Sequence, residues 1–123
     1  MIGYVTVGTN DLARATAFYD ALLAEIGAKR FMESERSVAW SITPGASGLS
    51  VCKPFDGNPA TAGNGTMIAL AAGSTANVDT LHRKALALGA SDEGAPGPRG
   101  AGGYYGAYFR DLDGNKLCAF HFG

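Results

Sequence analysis

At 123 residues and 46% hydrophobic content, the chain has the length of one average domain and enough apolar surface to fold without a templating partner. Its 10 Lys and Arg against 11 Asp and Glu give a net charge of -1 with no basic cluster, which argues against nucleic acid as a partner. No apolar run approaches the roughly 20 residues of a membrane span, no basic and apolar leader opens the chain, and two distant cysteines make no secreted disulfide framework. A cytoplasmic protein with reduced thiols and no membrane partner is expected.

The N-terminal run 2–8 carries β-branched and aromatic residues and reads as a strand, after which Thr9, Asn10 and Asp11 offer capping side chains. From Leu12, apolar residues recur at Ala15, Phe18, Tyr19, Leu22, Leu23 and Ile26, the spacing of one buried helical stripe within 10–26. Gly27 closes that helix in the left-handed region. Three strands are predicted next, over 28–33, 37–42 and 49–53, separated by Ser34-Glu35-Arg36 and by a turn segment containing Pro44, Gly45 and Gly48.

Residues 55–64 are small, polar and aperiodic, so they read as a connection between a module at about 1–54 and a second at about 65–123 of one domain. In the second module an apolar strand is predicted over 65–72. Ser74 or Thr75 then caps a helix over 75–88 bearing Val78, Leu81, His82, Ala85 and Leu86, which ends at Gly89. A short extended piece at 90–93, a loop at 94–103 and a hairpin of strands 104–110 and 115–122 complete the chain. The duplication is internal and measurable. Tyr4 precedes Gly27 by 23 residues, and Met67 precedes Gly89 by 22. The expected fold is therefore α+β, two βαβββ-type modules whose antiparallel-rich sheets curl into a cup.

Several stretches together resemble one family. Asn10-Asp11-Leu12 with Phe18-Tyr19, the strand at Gly65-Thr66-Met67, the second helix at Val78 to Ala90, the loop Pro96 to Arg99, and above all the hairpin Arg110-Asp111-Leu112-Asp113-Gly114-Asn115-Lys116-Leu117 are similar to the vicinal oxygen chelate superfamily. That superfamily comprises glyoxalases, bleomycin resistance proteins and dioxygenases. The resemblance implies a metal held by residues on the opening and closing strands of each half. The matching positions here carry Tyr4, Met67, Cys118 and something within 49–52, a phenol, a thioether and a thiol where imidazole and carboxylate are wanted. The expectation is no metal and no cofactor.

Candidate ligand-binding residues are Tyr4, Trp40, Cys52, Met67, Arg99, Tyr105, Phe109, Cys118 and Phe120, within a wider aromatic set that includes Tyr104 and Tyr108. Core packing explains many of the aromatics equally well. Cys52 and Cys118 read first as small buried hydrophobes. Arg99, in a glycine-rich segment, either closes over an anion or is solvated. His121 falls on the strand face opposite Cys118, and His82 reads as a packed or solvated helical residue. Asp111 and Asp113 are turn carboxylates rather than an acid and base pair. No catalytic residue is assigned.

Three functions remain in view. The first is a protein that binds a small organic molecule in its concave cavity without metal. The second is a glyoxalase-like lyase or isomerase, perhaps glutathione-related, acting without metal. The third is an accessory domain that dimerises. A homodimer is expected in any case, because small sheets leave edge strands to pair.

Overall fold

Helix formation begins where the sequence places its caps. In the computed structural model, which describes all 123 residues, the Asp11 carboxylate accepts from the Arg14 backbone amide at 3.0 Å and opens α1 at Leu12–Ala24. Ser74 does the same for Asn77 at 3.1 Å and opens α2 at Thr75–Ala87. Such a cap contributes about 1 kcal/mol. Gly27 and Gly89, at φ of +79° and +103°, carry the chain out of each helix. Neither helix is long and apolar enough to cross a membrane.

The eight strands are β1 Tyr4–Gly8, β2 Lys29–Glu33, β3 Ser37–Ser41, β4 Gly48–Cys52, β5 Ile68–Ala71, β6 Ser91–Pro98, β7 Tyr104–Arg110 and β8 Lys116–Phe122. They form two four-stranded sheets, ordered β1-β4-β3-β2 and β5-β8-β7-β6. In each, the opening strand lies parallel to the closing strand of its own module and the remaining pairs are antiparallel. The α+β fold of two βαβββ modules is thus present. The chain divides into two compact units, Met1–Ala62 and Gly63–Gly123.

In the first unit α1 buries Ala15, Phe18, Tyr19, Leu22 and Leu23 against one face of its sheet. Each of the larger side chains contributes about 1.5–3 kcal/mol by leaving water. Trp40, 2% exposed, packs 5.7 Å from the Tyr19 ring, and its indole N–H donates to Asp20 of α1 at 2.8 Å. Arg30 of β2 closes the same carboxylate from the other side, its Nε at 2.9 Å and its Nη2 on the second oxygen. In the second unit α2 buries Val78, Leu81, His82 and Ala85. Tyr105 donates its hydroxyl to Asp79 of α2 at 2.6 Å, and His82 meets Asp92 at 3.0 Å.

Two predicted elements differ. The strand expected over 65–72 begins only at Ile68, because Gly65 takes φ of +92° and a turn closes between Thr66 N–H and Gly63 C=O at 3.3 Å. The loop expected over 94–103 is strand as far as Pro98. Pro96 and Pro98 are tolerated because β6 is an edge strand, where a missing N–H costs no ladder bond, and two register shifts absorb the glycines. Between β7 and β8, Asp111 acts as the turn carboxylate: it accepts from the backbone amides of Asp113 and Asn115 and from the Asn115 side chain, each at 2.9 Å.

Two outcomes follow for stability. Asp111→Ala leaves several part-buried or buried donors without this acceptor and is expected to cost about 2–3 kcal/mol, read as a lower urea midpoint. Asp20 is held below the usual carboxylate range, first by the hydrogen bond from Arg30 and then by that from Trp40. A depressed folded value means its stabilisation is present above an unfolded pKa of about 4 and is lost as pH falls through the folded one. Urea midpoints between about pH 5 and pH 2 should therefore fall less steeply in Asp20→Asn than in the parent chain.

Candidate functional site

Because successive residues of a strand face opposite sides, each helix contact assigns a whole strand. Trp40 pairs with Leu49 and Val38 with Val51, so these four face α1 together with Val5 and Val7. The side of that sheet turned away from α1 carries Tyr4, Thr6 and Gly8, paired with Gly48, Ser50 and Cys52. In the second unit, Leu117 pairs with Phe109 and His121 with Tyr105, all on the α2 side. The other side carries Cys118 between Ala69 and Tyr108, and Phe120 between Ala71 and Gly106.

The nine candidates consequently separate. Tyr4, 65% exposed, and Cys52 share the far face of the first sheet, whereas Trp40 belongs to the helix-covered core of the same unit. Cys118 and Phe120 share the far face of the second sheet, whereas Tyr105 and Phe109 sit on its helix side. Phe109 is fully buried there. Met67, 41% exposed, lies just ahead of β5. Arg99 does not hang free in a loop. Its guanidinium donates to the carbonyls of Ala95 at 2.6 Å and Gly97 at 2.9 Å and stacks over the Tyr108 ring at 5.3 Å, strapping the end of β6.

The far face of the second sheet is a built aromatic surface. Tyr104 lies across Gly106, where a Cβ would come within 2.8 Å of its ring, and reaches Cys118 Sγ with its hydroxyl at 3.0 Å. Its ring stacks on Phe120 at 5.6 Å with an interplanar angle of 3°, and meets Phe122 edge-on at 5.3 Å. Tyr108, next along the same face, has Arg99 and Lys116 near its ring at 5.3 and 5.6 Å. Burial pushes the Tyr104 phenol above its usual range, and its contacts with Cys118 and Tyr108 push it the same way. Tyr104 therefore stays protonated at neutral pH, a hydrogen-bond donor and not a base. The sequence pointed to Tyr104 and Tyr108 only as aromatics. What would have singled them out is their even spacing with Gly106, which leaves room for a ring to lie flat.

The donors at the positions where the resemblance implies a metal are a phenol and, on the same face, the hydroxyls of Thr6 and Ser50 and the Cys52 thiol in the first unit, and a thioether and a phenol-bonded thiol in the second. No group of three or more His, Cys, Asp or Glu side chains assembles. One thiol in each unit beside hydroxyl and thioether donors lacks the imidazoles and carboxylates that offset the dehydration of a divalent cation, so these residues do not fit a resident metal. One consequence is direct: Gly106→Ala should lift the Tyr104 ring from its seat and expose Cys118. Maleimide labelling of Cys118, slow in the parent chain, is expected to accelerate at least about tenfold, as burial gives way to solvent access.

Comparison with known proteins agrees with this architecture. The family model described as Glyoxalase/Bleomycin resistance protein/Dioxygenase superfamily matches residues 1–119. A glyoxalase/bleomycin resistance protein from Albidiferax ferrireducens T118 has a similar crystal structure, with TM-score 0.90 and 37% identity over 100% of this chain and 99% of that one. A glyoxalase/bleomycin resistance protein/dioxygenase family enzyme from Burkholderia phytofirmans PsJN has the same fold at TM-score 0.78 and 20% identity, covering 98% of each chain. So does a lactoylglutathione lyase from Agrobacterium tumefaciens, at TM-score 0.72 and 22% identity over 98% of this chain and 92% of that one. No curated protein matches the sequence. With the family model covering nearly its whole length, the chain belongs to the glyoxalase/bleomycin resistance protein/dioxygenase superfamily.

Proposed function

We propose that this protein binds a small organic molecule and uses no metal to do so. The observation that carries the reading is the far face of the second sheet, where Tyr104, Tyr108 and Phe120 present aromatic surface with phenolic hydrogen bonding beside it. A flat, partly apolar ligand suits such a surface, because stacking and apolar burial supply affinity while one or two hydroxyls fix orientation. Met67, just ahead of β5, extends the candidate contacts. The protein works as a cytoplasmic homodimer, its exposed edge strands offering the pairing surface.

A second reading, a glyoxalase-like lyase or isomerase acting without metal, takes support from the fold shared with the lactoylglutathione lyase. It requires a general base. The phenol best placed on the aromatic face is shifted the wrong way for that role, which favours binding over proton abstraction.

A native mass spectrum of freshly purified protein, joined to metal analysis and a thermal-shift series, tests the proposal. Expected are a dimer carrying an organic mass, no stoichiometric metal, and a melting temperature that nickel, zinc, manganese and iron(II) leave unmoved. A metal present at 100 times its dissociation constant would add about 2.7 kcal/mol, several degrees in a domain of this size. A shift of that size would overturn the metal-free reading. Loss of the organic mass in Tyr104→Ala, with the fold retained, is the expected result for the aromatic face.

A further inference from the structure

Residues 54–61 form a wall. Asn10 holds Ala60 by two hydrogen bonds, accepting from its amide at 2.7 Å and donating to its carbonyl at 3.3 Å. At Gly8 the chains come so close that a Cβ would sit 3.0 Å from that of Ala60. Between this wall and the ends of β1 and β4 lies a groove of about 410 Å³, wholly within the first unit, lined by Thr6, Arg36, Cys52, Lys53 and Phe55 among others.

The groove gathers positive charge in an ordered form. The Arg36 guanidinium stacks on the Phe55 ring at 5.1 Å. Its Nη2 donates to the Lys53 carbonyl at 3.1 Å and lies 3.9 Å from Cys52 Sγ. These contacts engage Nη2, so the ring and the carbonyl hold the guanidinium in place while the N–H groups of Nε and Nη1 remain as donors on different edges of its plane. Lys53, which lines both this groove and the cleft beside α1, brings a second cation to this end of the sheet. The one carboxylate lining the groove, Asp56, accepts from the Asn58 amide at 2.9 Å and from its side chain at 3.1 Å, bonds that hold it below the usual carboxylate range. Two cations against one carboxylate leave an excess of positive charge, and a guanidinium steadied on an aromatic ring with N–H donors to spare suits an oxygen of a carboxylate or phosphate.

We propose that this groove is an oxyanion-binding site, with Arg36 as the oriented contact and Lys53 as the supporting charge, for a small molecule bearing a carboxylate or phosphate. The site does not depend on the ligand proposed for the aromatic face.

Cys52 lines the groove and reports its occupancy, while Cys118, fully buried, serves as the internal reference. The full chain is alkylated with N-ethylmaleimide in sodium phosphate, sodium malonate or sodium chloride at matched ionic strength, and modification at each cysteine is followed by peptide mass spectrometry. Phosphate or malonate should slow the labelling of Cys52 relative to chloride and leave Cys118 unchanged; the more protective anion identifies the oxyanion class. Lys53→Gln and Arg36→Gln should each raise the half-protecting anion concentration about tenfold, the loss of one charge-assisted contact. Arg83→Gln, on the exposed side of α2, should leave it unchanged. Each variant is compared with itself in chloride, so altered thiol reactivity cancels. Lys53→Gln removes only a side-chain charge, so it keeps the test decisive if Arg36→Gln unfolds. Equal labelling in all three salts, or protection undiminished in Lys53→Gln, overturns the proposal.

Discussion

Two hydrogen bonds, one in each unit, join an aromatic side chain of the sheet to a carboxylate on the helix above it: Trp40 to Asp20, and Tyr105 to Asp79. Each contact fixes which side of its strand meets the helix, and the two-residue repeat of a strand then commits every neighbour. With Trp40 against α1, Tyr4 and Cys52 must lie on the other face of their sheet. With Tyr105 against α2, Tyr104 must turn away, to the face on which β8 carries Cys118, Phe120 and Phe122. A one-residue slip in either sheet would bury the candidate site under a helix and expose the core.

The two modules share this construction but not the chemistry of their far faces. The first carries Thr6, Gly8, Ser50 and the Cys52 thiol, with the exposed Tyr4 as its aromatic residue on β1. The second is aromatic, with Tyr104 seated over a glycine. Duplication supplied one scaffold twice, and side-chain replacement made the halves unequal. The scaffold rests on helix and sheet packing, which does not depend on the donor atoms an ion would need at the positions where the resemblance implies a metal. Retaining the family's fold while carrying a phenol, a thioether and a thiol at those positions is consistent for that reason.

Where the sequence misled, the cause was tertiary. The segment with Pro96 and Pro98 has the composition of a loop, yet it forms an edge strand, because a proline is costly only where its missing N–H would face a neighbour. Apolar character at 65–67 suggested a longer β5, but a left-handed glycine starts the strand later. Arg99 read as a solvated loop arginine or else an anion clamp; folded, it spends its donors on the carbonyls of its own strand and its cationic face on Tyr108. In the reverse sense, the small and polar run after Pro54 gave no hint of structure. Asn10, 50 positions away from Ala60, turns it into a wall.

The sequence by itself determined the two helices, their caps and closing glycines, the number of strands within a residue or two at most ends, the duplication, the late turn built on Asp111, and the family. All of these are local: periodicity, capping and turn chemistry act within a few residues, and the motifs are contiguous. It also named the atoms at three of the four positions where the resemblance implies a metal, and left the fourth within 49–52. Only the tertiary structure decided which aromatics form a surface and which form the core, because Trp40, Tyr105 and Phe109 differ from Tyr104, Tyr108 and Phe120 not in chemistry but in the parity of their strand positions relative to a helix contact distant in the chain. It likewise decided that Arg36 and Phe55, on separate segments, stack beside Cys52. Such juxtapositions come from strand pairing across many residues, and no pattern within a single segment encodes them.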